Sequence, residues 1–354
     1  MMDRRLYRFA SLAGAVVLAC SSVAMAQGLG SGIEIAAEQV IRLPTNKHTR
    51  QVPVVSALAL SPDGKLIASG GDDHVVRLWD KETGTLQDEL QGHSDWIRVA
   101  EFDPSGKRLL TAGDDHEVRI WDIATKQSAT LIQTPAPSFC LCFRADAGQV
   151  AEAGFDSRVR VIDLATKQVV HDLEAPTNDV RAVTFAPGGN VLAVAGRNGR
   201  IRVWKGCDAA TARDLDGHRQ RVRALAFSPD GAYLASAGDD RQIIIWRIED
   251  GMEAFRLPLR PGKVHSMLYC GKGLLATGTS DNVIRIWDID ARQDAMRLIG
   301  HTGSVTALEY NAAAGELVSA SFDTSIRIWK LNAEAGSGAD VARRPGASAE
   351  PALH

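Results

Sequence analysis

The sequence predicts an all-β fold: seven four-stranded sheets set radially as a seven-bladed propeller, closed by an N-terminal strand that completes the last blade. Three observations carry this. One pattern recurs seven times and closes each copy on Trp79, Trp121, Ile162, Trp204, Trp246, Trp287 and Trp329, with gaps of 42, 41, 42, 42, 41 and 42 residues. Six residues before each closing residue stands an acid or its amide: Asp73, Asp115, Asp156, Asn198, Asp240, Asp281, Asp323. Each copy also reads as short β-branched and aliphatic runs separated by tight-turn residues, the pattern of radially repeated antiparallel strands.

The fifth copy shows the elements in order. Val222–Phe227 is a first strand, Ser228-Pro229-Asp230-Gly231 a tight turn, 233–236 a second strand and 237–240 a second turn. A third strand follows over 242–246 and a fourth over Glu253–Leu257. The Asp-Gly step is expected to supply the positive φ angles of a two-residue hairpin. The same turn recurs at Ser61–Gly64, with variants at Asp103–Gly106 and Ala186–Gly189. The stretch 37–43 resembles the fourth strand of the other copies, and the last copy stops after its third strand. That segment is therefore expected to complete blade seven and remove an exposed edge.

Four segments follow: 1–26 a leader, 27–36 a linker, 37–332 the propeller, and 333–354 a tail rich in Ala, Gly, Ser and Pro that is expected to be disordered. The leader opens with Arg4, Arg5 and Arg8, continues as an apolar run from Phe9 to Cys20, and ends on Ala24-Met25-Ala26, the form of a secretory signal peptide. Export with cleavage after Ala26 and a soluble periplasmic product is expected. The alternative is a lipoprotein anchored at Cys20, because Val17-Leu18-Ala19-Cys20 resembles a lipobox; only that form would touch a membrane. Arg4-Arg5 hints at twin-arginine export, but Arg8 sits where that signal wants an apolar residue, which favours the general secretory route.

Loss of the leader removes three arginines and one acid and leaves 37 basic against 42 acidic residues. So mild a charge argues against nucleic-acid binding, which needs a strong positive field. Four cysteines remain, Cys140, Cys142, Cys207 and Cys270. Cys140 and Cys142 lie two apart on one strand, about 6.6 Å between Cα atoms and awkward for a disulfide. Free, mostly buried thiols are expected, and no metal-ligand spacing or cofactor motif appears.

The motifs resemble the WD40 repeat family over residues 37–332. The closing dipeptide is intact at Trp79-Asp80, Trp121-Asp122 and Trp287-Asp288, and relaxed at Trp204-Lys205, Trp246-Arg247 and Trp329-Lys330. It is replaced by Ile162-Asp163 in the third copy. The opening Gly-His dipeptide stands at Gly92-His93, Gly217-His218 and Gly300-His301. With the leader described above, the chain resembles an exported bacterial member of the family. By this resemblance three copies hold complete hydrogen-bonded tetrads: His93, Thr111, Asp115 and Trp121; His218, Ser236, Asp240 and Trp246; His301, Ser319, Asp323 and Trp329. The Asp accepts from the His, and the hydroxyl bridges the imidazole to the indole NH. Repetition in three blades with a fixed Trp makes these braces rather than hydrolase triads.

Some copies depart from the pattern. The first and sixth keep Ser69, Asp73, Trp79 and Thr277, Asp281, Trp287 but lack a histidine in register, His48 lying three residues too early. The third has Glu152 and Ile162, the fourth Val194 and Asn198. Blades three and four are expected to be less rigid, with Glu152 solvated or locally paired.

The resemblance also implies a contact surface, the face bearing the links between blades and the second turns. Reading two positions at each first strand and one before each turn Asp places Trp96 and Arg98 there from blade two, and Ser138, Cys140 and Phe155 from blade three. Blade four contributes Asp179, Arg181 and Arg197, blade five Arg221, Arg223 and Asp239, blade six Lys263 and His265. The arginine concentration on blades four to six, with Trp96 as apolar anchor, fits an acidic segment of a partner protein. The bland reading is a solvated arginine rim. Glu101 and Glu309 occupy equivalent axial points on blades two and seven, a whole blade apart, with Thr184 at that position on blade four; they do not form an acid–base pair. The expected function is a non-catalytic protein-interaction scaffold of the cell envelope, monomeric and without cofactor or metal. The alternatives are a propeller that captures an anionic glycan or similar polymer, or a hydrolase using the axial cavity.

Overall fold

Each blade of the ring is built on four antiparallel strands, with a fifth strand added to blade six, and its burial falls from the axis outward. In blade one, Leu66–Gly71 and Val75–Asp80 are almost wholly buried, whereas the outermost strand, Leu86–Gln91, is largely exposed. The inner strands are buried on both faces because each blade is sandwiched between two others, so their sequences run continuously apolar rather than alternating. The structure is a computed structural model describing residues 33–46, 50–144, 148–258, 262–271 and 273–331. The expected leader and tail, and His48, lie outside the described residues.

Among the described residues there are seven sheets, their first strands beginning at Val55, Ile97, Ser138, Val180, Val222, Val264 and Val305. The core runs between blades rather than within them. Ala57, Val76 and Leu78 of blade one pack with Ile97, Leu109 and Trp121 of blade two, and the same arrangement recurs around the ring. In the fifth blade the strands are Val222–Phe227, Tyr233–Gly238, Ile243–Arg247 and Glu253–Leu257, so the second extends two residues beyond its expected end.

The ring is sealed as expected. Gln39–Arg42 pairs antiparallel with Ser325–Lys330, Gln39 opposite Ile328 and Arg42 opposite Ser325, and becomes the fourth strand of blade seven. Ile41 is buried there with Leu43 against Val318 and Ile326. One strand was not foreseen. Ile33–Ala36, within the stretch read as linker, pairs parallel with Gln293–Ile299 as a fifth strand of blade six. Its alternation of Ile33 and Ile35 around Glu34 is a strand signal, but four residues are too few to separate from a loop by pattern alone.

The first turns also differ from expectation. Gly64, Gly106, Gly189 and Gly231 take φ of 69°, 69°, 67° and 71°, but the residue before each does not share the positive angle. These are type I turns with Pro at the second position, each followed by a left-handed glycine, and not two-residue hairpins. Gly64 N donates to Ser61 O at 2.8 Å, closing the turn in blade one.

Candidate functional site

Every first strand opens on a β-bulge at the face carrying the inter-blade links. The register shifts fall between Val55 and Ala57, Ile97 and Val99, Ser138 and Cys140, Val180 and Ala182, Val222 and Ala224, Val264 and Ser266, and Val305 and Ala307. The residue inside each bulge is unpaired with the neighbouring strand and re-aimed. Those residues are Ser56, Arg98, Phe139, Arg181, Arg223, His265 and Thr306. The second strand presses close behind: a Cβ on Gly113 would lie 2.0 Å from Trp96 O, so only glycine allows that approach.

Blade three corrects the expected face. Ser138 and Cys140 are buried, and Phe139 occupies the bulge. The third copy is one residue short, and a one-residue slip exchanges every side chain between faces. The missed Phe139 organises the site. The Arg181 guanidinium lies 3.6 Å from its ring centroid and that of Arg98 5.8 Å, while Arg98 also stacks over Trp96 at 4.0 Å. Phe155 meets Phe139 edge-on, with ring centroids 6.4 Å apart. A row of Trp96, Arg98, Phe139 and Arg181 thus crosses three blades, each contact a cation–π pair.

Most of the expected arginines are already partnered. Asp179, 1% exposed, accepts from Arg181 Nε at 2.5 Å and from Arg221 Nη2 at 2.6 Å. Arg223 Nε donates to Asp239 at 2.6 Å, and Arg98 donates twice to Asp114, at 2.9 and 2.5 Å. The exposed cations of blades four to six with no ion pair among the described residues include Arg197, Lys263 and two that the sequence reading passed over, Arg219 beside His218 and Arg241 after Asp240. Arg241 sits in the second turn of blade five at φ 61°, one residue after the turn Asp rather than before it. His265 does not add charge: burial, together with Arg223 and Lys263, holds its imidazole below its usual range.

Trp96 is half-buried and pinned, its indole NH donating to Ser56 Oγ at 2.7 Å. The apolar groups that do stand out on the face are Phe155, 50% exposed, and Phe322, 46% exposed.

Beneath the face lie the braces. His93 Nδ1 is 2.6 Å from Asp115, its Nε2 2.6 Å from Thr111 Oγ1, and Trp121 Nε1 donates to the same hydroxyl at 2.7 Å. The second set gives 2.9, 2.7 and 2.8 Å for His218–Asp240, His218–Ser236 and Trp246–Ser236. The third gives 2.8 Å for His301–Asp323, His301–Ser319 and Trp329–Ser319. One proton arrangement satisfies all four groups: indole NH to hydroxyl, hydroxyl to Nε2, and Nδ1–H to carboxylate. Against the cost of burial, the hydrogen bonds from His93 and His218 hold Asp115 and Asp240 below the usual carboxylate range. Burial likewise lowers His301.

Where histidine is missing, an arginine two residues before the Trp or its substitute folds back. Arg77 binds Asp73 at 2.6 Å and Arg285 binds Asp281 at 2.6 Å, both guanidiniums buried. In blade three Arg160 reaches Asp156 at 2.5 Å and Glu152 at 3.1 Å. Glu152 is 1% exposed, not solvated, and also accepts from Ser138 Oγ at 2.6 Å. Burial pushes its carboxyl up against these bonds. Blade four has no such set: Val194 is apolar and buried, and Asn198 Nδ2 donates to Pro176 O at 2.6 Å.

Comparison with known proteins agrees with this architecture. The sequence matches the family described as WD domain, G-beta repeat over residues 42–80, 84–122, 167–205, 210–247, 261–288 and 293–330, more than half of the chain; the stretch passed over contains the altered third copy. Among curated proteins, it is 38% identical over 58 residues to Pre-mRNA-processing factor 19 homolog 2 of Arabidopsis thaliana, covering 16% of this chain and 11% of that protein. It is 36% identical over 62 residues to THO complex subunit 6 homolog of Danio rerio, covering 17% and 19%. It is 42% identical over 43 residues to the probable serine/threonine-protein kinase PkwA of Thermomonospora curvata, covering 12% and 6%. The chain spans less than a fifth of the length of each, about one repeat, so what is shared is the repeat. Propellers of this family generally bind protein partners and are generally non-catalytic. The chain belongs to the WD40 repeat family.

Proposed function

We propose that this propeller is a non-catalytic scaffold of the cell envelope that docks partner proteins on the face carrying the bulges. The observation that carries the reading is the row Trp96, Arg98, Phe139 and Arg181, rigidly pinned by Asp114 and Asp179, beside the unpaired cations Arg197, Arg219, Arg241 and Lys263. Fixed guanidinium and aromatic surfaces lose little entropy on binding. Free cations beside them attract carboxylates over a distance that salt shortens. The partner is a protein with an acidic segment carrying an apolar residue for Phe155. The ring acts as a monomer, released into the periplasm after cleavage at Ala26 or, alternatively, tethered through Cys20.

Chemical crosslinking in the native envelope, with identification of the attached polypeptide, tests the reading. Charge reversal of Arg197, Arg219 and Arg241 to Glu removes the attraction without adding a carboxylate against Asp179 or Asp239. The identified partner then binds at least ~10-fold more weakly in low salt. Equal binding by this variant would refute the docking face. N-terminal analysis of the purified protein, beginning at Gln27 or at a lipidated Cys20, settles the form exported.

A further inference from the structure

An arginine two places before the closing residue recurs in six copies, as Arg77, Arg119, Arg160, Arg202, Arg285 and Arg327, with Ile244 in the fifth. Five of these arginines find a carboxylate within their own blade. Arg77 meets Asp73 at 2.6 Å, Arg119 Glu117 at 2.7 Å, Arg160 Asp156 at 2.5 Å, Arg202 Asp214 at 2.6 Å and Arg285 Asp281 at 2.6 Å. Arg327 of blade seven has neither ion pair nor side-chain hydrogen bond among the described residues. It is half-buried, and its Nε is enclosed without a partner. A donor left in that state bears the cost of its lost hydration.

The repeat explains why this one arginine is left over. In blades one, three and six no histidine claims the turn acid, which takes the arginine instead. In blade seven four donors fill Asp323: His301 Nδ1 at 2.8 Å, Thr302 N at 2.9 Å, Ser325 N at 3.0 Å and Ser325 Oγ at 2.6 Å. A carboxylate offers about four acceptor sites, so none remains. Blade two also keeps its histidine, but there Glu117 stands two residues before Arg119; the matching residue in blade seven is Ser325. Opposite the arginine, the fourth strand places Glu89 in blade one and Asp214 in blade four. Blade seven takes its fourth strand from the N-terminal segment, which places Val40 there.

A second cation stands beside the first. Side chains alternate along a strand, so Arg42 shares the face of Val40 and is the diagonal neighbour of Arg327, about 7–8 Å away at the backbone. Arg42 is exposed and has no ion pair among the described residues. Glu38, the acid of the same segment, is also exposed and bonds to neither arginine. Trp329 on this face packs with Met296 and Leu298, so the two arginines open on the groove between blades six and seven. The Arg327 Nη1 lies 2.5 Å from where a Cβ on Gly300 would stand, so that glycine gives the guanidinium its place. Burial lowers Arg327 from its usual range against the pull of Asp323, and the Arg42 charge adds to the lowering. Arginine nonetheless keeps its proton in proteins.

We propose that Arg327 and Arg42 form a seat for a carboxylate supplied from outside the ring. Blades one to four and six show the chemistry that fits, since each sets a carboxylate against the equivalent arginine. A guanidinium fork matches that group through two parallel hydrogen bonds. Two arginines against the single acid Asp323 leave one positive charge, which suits a monoanion better than a phosphate dianion. The source is either an acidic side chain of a polypeptide or a free small carboxylate. The inference uses none of the docking-face residues and does not depend on that reading.

Nitrogen NMR of the arginine side chains in the full chain reads the site directly, with the Arg327 Nε–H resonance assigned by its loss in Arg327→Lys. The probes are Nα-acetyl-glutamate methylamide, its neutral glutamine analogue, sodium acetate and sodium phosphate, all at one ionic strength. The expected result is a saturable shift with the glutamate derivative, with a midpoint near or below ~10 mM, and none with the glutamine analogue. An equal midpoint for acetate identifies a free carboxylate as sufficient; tighter binding of the glutamate derivative identifies a side chain. Arg42→Gln weakens binding about 3-fold or more. Val40→Glu places an acid where Glu89 stands in blade one and abolishes the shift while both arginines remain, which covers failure of the Gln variant to fold. A shift with phosphate alone, no saturable shift with either carboxylate, or an unchanged midpoint in Val40→Glu or Arg42→Gln would each overturn the proposal.

Discussion

Arg221 of blade five reaches back one blade to Asp179, with its Nη2 2.6 Å from Oδ2 of a carboxylate that is almost wholly buried. The other oxygen of Asp179 holds Arg181 of its own blade. One acid therefore fixes two cations on adjacent blades, and the docking face depends on it for shape as much as for charge.

Removing that acid is costly. Asp179→Asn leaves two partly buried guanidiniums facing each other without a counter-charge, a loss of about 3 kcal/mol. Urea denaturation of the two proteins checks it, and a midpoint equal to wild type would remove the organising role given to Asp179.

The tetrads make a comparable prediction. Ser236→Ala deprives Trp246 Nε1 of its acceptor and His218 Nε2 of its donor, both buried. The unsatisfied pair costs about 2 kcal/mol, whereas an exposed Ser128→Ala costs under about 0.5 kcal/mol. Paired thermal melts provide the comparison.

Blade three responds through its arginine instead. Arg160→Met strips the charge partner from buried Glu152 and from Asp156, and destabilises by about 3 kcal/mol. The second change Glu152→Thr restores most of that loss, because a hydroxyl needs no counter-charge there. A double-mutant cycle measures the coupling.

The lumen predicts a pH dependence. Glu101 and Glu309 rise from the ordinary value of 4.5 to about 8 in the folded ring. Between those limits the folded state holds more protons than the unfolded chain, so their contribution is full below 4.5 and is lost as pH rises toward 8. Glu309→Gln cannot lose a proton. Its melting temperature should fall less than that of wild type between about pH 5 and pH 8, by differential scanning calorimetry. Parallel curves would show that Glu309 ionises as an ordinary surface acid does.

Much of this molecule was readable from local pattern. The repeat period set the number of blades, the apolar runs set the strands, and the fourth-strand likeness of the segment around Val40 set the closure onto Ser325–Lys330. Tetrad positions could be located because their spacing repeats with the blade, each site being built within one sheet. What lay beyond that pattern depended on the ring. Phe139 rather than Cys140 reaches the face because a bulge in a copy one residue short shifts the register. Arg181 and Arg221 read as free charge until the fold brought them onto Asp179, the second from 42 positions away. Glu101 and Glu309 are 208 residues apart in the chain, yet curvature brings them to one lumen. Backbone pattern is a local property that each repeat carries by itself. Which charges meet is a property of the closed circle, and only the tertiary structure decided it.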